Sequence, residues 1–362
     1  MFERQLLGNL KFAQSDKISF LDNQDKVKKM RRAASETAKI IELNRLVTGI
    51  QHKWLIFHPK KNILVVGGAE SDIQIWNLDQ DGKKKAFYKL KGHRSATNSG
   101  SFSDNGLLAT ASDDGTVRIW DVNEKRQLRK FQLFGIIGRL RRLFFCQVHC
   151  VDWSFDGKIL GAVTEKKEIR LWNTNSWEAA PCIKIKNNAS IVAFNPKENQ
   201  ITCDIFPSHI GIYDLNKQYW THNFYHENTG FIGELDFSPD GKMLAAGGKG
   251  GVIFLYKVST GKLFKTLFGH DVSDGQFGNS IRSIRFSPNG RWLASTSRDN
   301  FLIIWDMKKI ALSTFYKYET WPFLIGEGIP GLAWSFDSRW LALPSADGEI
   351  QILELNLKQN LS

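Results

Sequence analysis

Cysteine is scarce in this chain, and none of the four present (Cys146, Cys150, Cys182, Cys203) has the C-x2-C spacing of a zinc or redox site. A disulfide framework is thereby excluded, and the four read as reduced thiols in or beside strands. Long apolar runs are absent too. The first 30 residues hold no stretch suited to a signal peptide, and nowhere do 18 apolar residues run together as a membrane helix requires. A soluble, cytoplasmic protein is the expectation. No carboxylate pair, metal-ligand cluster or nucleophile elbow stands out, so no catalysis, cofactor or metal is expected. GEGIPG (Gly326 to Gly331) fits G-x-G-x-x-G on paper, but Pro330 and the strand-like GLAWSF after it leave no helix start to hold a pyrophosphate. GGKGG (Gly247 to Gly251) lacks the GK[ST] of a phosphate loop and reads as a tight turn.

What the chain does have is repetition. Phe102 to Asp121 reads FSDNGLLATASDDGTVRIWD, and Phe286 to Asp306 reads FSPNGRWLASTSRDNFLIIWD. Weaker copies run from Phe57 to Trp76, Trp153 to Trp172, Phe194 to Tyr213, Phe237 to Tyr256 and Trp334 to Leu353. The two anchors lie 19 residues apart in six copies and 18 apart in the Phe102 copy. A period of 40 to 50 residues argues for one array rather than two domains in 362 residues. Alternating apolar residues with Gly, Asp, Asn and Pro punctuation predict four short antiparallel strands per copy. The last copy lacks a fourth strand, because LKQNLS is too short to supply one, while Lys39 to Val47 is a spare strand at the other end. Pairing the two would close a ring and remove an open sheet edge. Ahead of it, Asp22 to about Ala38 predicts an amphipathic helix with Val27, Met30, Ala34 and Ala38 on one face. The expected organisation is an N-terminal extension over 1–38, a repeat domain over 39–357 and a tail over 358–362.

The Gly-His pairs (Gly92-His93, Gly269-His270), the FSPDG-type bends and the Trp-Asp endings resemble WD40 repeats. Seven copies resemble a seven-bladed all-β propeller, and the regular bends resemble those of prokaryotic WD40 proteins. What the resemblance implies is a rigid interaction module. It also implies a role for His93, Ser112, Asp114 and Trp120, and for His270, Ser297, Asp299 and Trp305. In WD40 repeats the matching residues form a hydrogen-bond chain from Asp to His to Ser to the indole, so both sets are expected to be structural rather than catalytic.

The net charge of +12 is concentrated. Residues 81–94 carry six basic side chains against Asp81, and residues 124–142 carry seven against Glu124. Lys83, Lys84 and Lys85, with Lys125, Arg126 and Arg129, fall on outermost strands, where lysine guards sheet edges. Joined, they would form a basic flank able to bind nucleic acid. Against that reading, no aromatic residues interleave regularly with the basic ones. The long insertions, Gly135 to Phe145, Asp271 to Asn279 and Lys317 to Gly328, all fall between one blade's fourth strand and the next blade's first, on the face called the top. In GIIGRLRRLFF, a helix would put Phe144 among apolar neighbours and Arg139, Arg141 and Arg142 beside or opposite them, a shape suited to an acidic groove. The piece is too short to hold a membrane by itself. Trp321 is the candidate aromatic anchor. Phe206, Lys249 and Arg298, with Glu165 and Asp113, sit at tight turns around the top opening. The expected function is a non-catalytic scaffold or recognition subunit whose top face binds a protein partner with an acidic surface; the alternative is a nucleic-acid-binding propeller using residues 83–94 and 125–142.

Overall fold

The computed structural model describes residues 38–133, 146–205, 209–225, 232–248, 250–270, 280–317, 331–345 and 348–357. Within them the chain forms seven four-stranded antiparallel sheets. The first strand, β1 (Ala38–Val47), belongs to the last sheet. Blade 1 is β2 (His52–Phe57), β3 (Ile63–Gly68), β4 (Ile73–Leu78) and β5 (Lys84–Leu90). Blade 2 is β6 (Thr97–Phe102), β7 (Leu107–Ser112), β8 (Thr116–Asp121) and β9 (Arg126–Gln132). Blade 3 is β10 (Val148–Trp153), β11 (Ile159–Thr164), β12 (Glu168–Asn173) and β13 (Ala179–Lys184). Blade 4 is β14 (Val192–Phe194), β15 (Gln200–Ile205), β16 (His209–Asp214) and β17 (Tyr219–Tyr225). Blade 5 is β18 (Ile232–Phe237), β19 (Met243–Gly248), β20 (Val252–Lys257) and β21 (Lys262–Phe268). Blade 6 is β22 (Ile281–Phe286), β23 (Trp292–Ser297), β24 (Phe301–Asp306) and β25 (Ala311–Lys317). Blade 7 is β26 (Ala333–Trp334), β27 (Trp340–Pro344) and β28 (Glu349–Leu357), with β1 paired to β28 as its outer strand.

The constant anchor spacing has a simple cause. In every blade both anchors stand opposite one residue of the second strand: Phe57 and Trp76 flank Leu64, and Phe286 and Trp305 flank Leu293. The three side chains share a face, so a change of length within a strand, unless its turn absorbs it, would put the set out of register. Blade 2 absorbs its missing residue in the bend before β7, where Phe102 and Trp120 flank Leu108.

The core sits between blades rather than within them. Among the described residues seven apolar clusters occur, one at each interface of successive blades, and one of these joins Leu46, Ile350 and Trp340 of blade 7 to Phe57, Leu64 and Trp76 of blade 1. Leu46 of β1 is 2% exposed there, a burial worth about 1.5–3 kcal/mol. Ala38 pairs with Leu357 and Val47 with Glu349, so β1 runs away from the end of β28. Ala38 therefore lies at the end of the ring that carries the turns between first and second strands, here the lower face. No helix of the described residues is long and apolar enough to cross a membrane. The helix expected over 22–38 lies outside the described residues but for Ala38, the first residue of β1.

Candidate functional site

Blade 2 builds the fuller of the two polar relays. His93 Nδ1 lies 3.0 Å from Asp114 Oδ2, and Nε2 lies 2.8 Å from the hydroxyl of Thr110. The Trp120 indole N–H donates to the same hydroxyl at 2.8 Å. Blade 6 repeats the arrangement with His270, Asp299, Ser295 and Trp305, the two contacts to the Ser295 hydroxyl being 2.8 and 2.9 Å. The expected hydroxyls, Ser112 and Ser297, are thus corrected to Thr110 and Ser295. Register supplies the reason: Trp120 stands opposite Leu108, so Thr110 is its diagonal neighbour and Ser112 lies one further pleat away. Ser112 instead donates to the carbonyl of Ala96 and accepts the backbone N–H of Asp114.

These groups are inward and spent on each other. Burial lowers the His93 pKa, outweighing the Asp114 carboxylate beside it. Burial alone would raise Asp114, yet hydrogen bonds from His93, Thr116 and the Arg94 backbone hold its carboxyl well below the usual range. Blade 1 has Val66 where blade 2 has Thr110, and there the Trp76 indole donates to Gln74 at 3.1 Å.

A central cavity of about 970 Å³ runs through the ring. Its upper mouth carries Lys53, Asn98, Asp113 and His149 from blades 1 to 3, with Arg282 and Arg298 of blade 6 on the other side. Asn98 donates to Asp113 at 2.6 Å and receives Lys53 at 3.0 Å. Arg298 is exposed on the turn after β23. Of the remaining partner-face candidates, Arg139, Arg141, Arg142, Phe144, Phe206, Lys249 and Trp321 all lie outside the described residues, as do nearly all the residues of the three long insertions.

Deeper in the cavity lies a set that sequence reasoning missed. Asp152 accepts Ser101 Oγ at 2.6 Å and the backbone N–H of Phe194, in the next blade, at 2.7 Å. Asp236 accepts the backbone N–H of Phe286, again in the next blade, at 2.6 Å. Arg285 donates to Glu234 at 2.6 Å and keeps 37% of its side chain exposed, to the cavity. Burial pushes the Asp236 carboxyl up to about 7 against the pull of Arg285, and Asp204 up to about 6. The signal was available, since Ser101, Asp152, Asp236 and Arg285 each immediately precede an anchor aromatic. Strand alternation turns such a residue away from its own anchor, toward the neighbouring blade. Among the described residues no group of three or more His, Cys, Asp or Glu is placed to hold a metal ion.

Three of the basic side chains lie over aromatic rings in different inter-blade grooves. Lys84 lies over the rings of Trp76 and Phe87, on the side of blade 1 that packs toward blade 7. Lys125 lies over Tyr88, in the groove between blades 1 and 2, and Arg129 over Trp177 of blade 3. Lys83 and Lys85 are exposed at the start of the edge strand β5, and Arg126 at the start of β9. Lys84, Lys125 and Arg129 thus enter three different inter-blade grooves. Aromatic rings are present after all, but cations cover the faces on which bases would stack.

Comparison with known proteins adds two family matches. The family described as "WD domain, G-beta repeat" matches residues 219–257 and 261–306, and "WD40 region of Ge1, enhancer of mRNA-decapping protein" matches residues 51–220. WD repeat-containing protein 1 of Xenopus tropicalis is 27% identical over 58% of this chain and 33% of its own length. Nuclear distribution protein nudF of Aspergillus niger is 26% identical over 70% of this chain and 49% of its own. Cross-pathway control WD-repeat protein 2 of Flammulina velutipes is 25% identical over 80% of this chain and 89% of its own. The chain thus spans a third to a half of the first two.

Proposed function

We propose that this chain, which carries WD40 repeats on a seven-bladed propeller, is a non-catalytic scaffold or recognition subunit that binds an acidic protein surface through its upper face. The observation that carries the reading is the upper mouth, where Lys53 of blade 1 and Arg282 and Arg298 of blade 6 line the opening on a rigid frame. Loops on a rigid frame are the usual place for recognition. To this face the sequence reading adds Arg139, Arg141, Arg142, Phe144, Trp321, Phe206 and Lys249, which lie outside the described residues. In this reading β1 closes the ring and keeps the face from spreading. The relatives' names support an interaction protein, and a decapping-enhancer-like region fits a subunit of a protein complex. On the sequence reading the FSPDG-type bends resemble those of prokaryotic WD40 proteins, in which such a propeller would be the sensing part of a larger machine.

The test is a tagged pull-down from native lysate, with and without nuclease, comparing wild type with Arg139, Arg141 and Arg142 all changed to Glu, and separately with Arg298→Glu. A protein that survives nuclease and is lost in either variant is the expected result. Loss of every partner with nuclease would move the function to nucleic acid, and a partner kept by both variants would move the site off the upper face.

A further inference from the structure

The interior of the central cavity is polar on one side only, and the upper-face reading does not use it. At the position before the anchor, blades 2, 3, 5 and 6 line the cavity with Ser101, Asp152, Asp236 and Arg285. Blade 4 has Ala193 there, and blades 7 and 1 have Ala333 and Ile56. In a ring of seven, blade 4 stands opposite the join of blades 7 and 1. One level of the cavity thus has charged groups on both sides of a small gap and an apolar wall across from it. Small-molecule pockets combine apolar lining with a few convergent polar groups, and about 970 Å³ is ample for such a ligand.

The polar groups are only partly spent. Arg285 uses Nη1 alone, on Glu234 and on the Ile284 carbonyl, and among the described residues nothing accepts from Nε or Nη2. Those two donors share one edge of the guanidinium, a fork that grips a carboxylate with two parallel bonds. Asp236 lies close by, since it accepts the N–H of Phe286, and its other oxygen has no donor among the described residues. Asp152 meets the Ser101 hydroxyl on one oxygen and the Phe194 N–H on the other, and each oxygen keeps a lone pair. Water could satisfy these groups but gains nothing from Ile56 and Ala333. A phosphate would fit the fork and be repelled by Asp152, Glu234 and Asp236. A bare cation would suit the acids and leave the fork idle.

We propose that the cavity binds a free α-amino acid with an apolar side chain. Its carboxylate takes Nε and Nη2 of Arg285, its ammonium lies between Asp236 and Asp152 over Ala193, and its side chain faces Ile56 and Ala333. Both charges of the ligand are met, so its entry adds no net charge to the cavity and leaves no ion unpaired. Ala193 matters by its size, because a longer side chain there would fill the gap between the two acids. The upper-face reading concerns a protein and this one a small molecule, so either can fail alone.

The experiment is isothermal titration calorimetry on the full chain with leucine and phenylalanine, and with two truncated forms of leucine: isoamylamine, which lacks the carboxylate, and isocaproate, which lacks the ammonium. Saturable binding of at least one amino acid is expected, with both truncated forms weaker by about tenfold or more. Asp236→Asn keeps an acceptor for the Phe286 N–H and should lose most of the affinity, and Ala193→Leu should lose it without altering any charge. The ligand series is read on wild type, so it stands even if a variant fails to fold. Isoamylamine binding as tightly as leucine would make this a cation site, and isocaproate doing so an anion site; either overturns the proposal. Affinity retained in both folded variants, or no binding of either amino acid at concentrations on the order of millimolar, would overturn it as well.

Discussion

The indole N–H of Trp120 ends on the hydroxyl of Thr110, and the same oxygen meets His93 Nε2. One small side chain thereby satisfies two buried rings, and Thr110 itself is fully buried.

Thr110→Val keeps the shape and removes the oxygen. It is expected to leave the indole N–H and the imidazole Nε2 without a partner, costing about 1–3 kcal/mol for each. Thr110→Ser should restore most of that stability, and Ser112→Ala should cost less than Thr110→Val because the groups that lose a contact, the Ser95 and Ala96 carbonyls and the Asp114 N–H, are backbone groups at a turn rather than two buried rings. Urea unfolding of the three variants decides the matter. A Ser112→Ala loss larger than that of Thr110→Val would return the relay to Ser112.

Stability should also respond to pH through Asp236, and with an uncommon sign. Its folded pKa of about 7 stands above the ordinary 3.8, so between those values the folded protein binds more protons than the unfolded one. The contribution is full below about 3.8 and is lost as pH rises to 7, with a slope of at most about 1.4 kcal/mol per pH unit, less because Asp236 lines the open central cavity. Asp114 acts in reverse: its depressed pKa contributes stability above 3.8 that is lost as pH falls further. Asp204 shares the sign of Asp236, so the useful quantity is a difference. Asp236→Asn keeps an acceptor for the Phe286 N–H without a charge. Wild type should lose stability relative to this variant between pH 4.5 and 7. Parallel curves would show that Asp236 is ionised throughout.

The blade frame was legible because anchors such as Phe57 and Trp76 both register on Leu64, and such a constraint leaves a fixed spacing in the chain. The relay oxygen was less legible. Thr110 and Ser112 occupy the same face of β7, and only the pairing of Leu108 with Trp120 tells which hydroxyl meets the indole. Asp152 and Asp236 were missed because the anchor beside each drew the eye, whereas their work is done on the opposite face, against the next blade. Charge counts likewise could not place Lys84, Lys125 and Arg129 in separate grooves. They carry no information on which side of an edge strand each lysine leaves, and the irregularity between Asn77 and Leu78 resets that alternation in blade 1.

Edge protection is the remaining role for the lysines of β5, and it makes a definite prediction. This strand is the outer edge of blade 1, with every residue from Lys84 to Phe87 exposed. An edge of this kind offers unpaired backbone groups to another chain, and positive charge opposes that pairing. Changing Lys83, Lys84, Lys85 and Lys89 to Thr keeps a strand-favouring, uncharged edge. Folding stability should move by no more than about 1 kcal/mol, since exposed charges contribute little. Self-association should rise, seen as concentration-dependent sedimentation or scattering that wild type lacks. A variant as monomeric as wild type would remove the protective role. If wild type then bound single-stranded RNA with a steep salt dependence that the variant lost, the four lysines would be phosphate contacts instead.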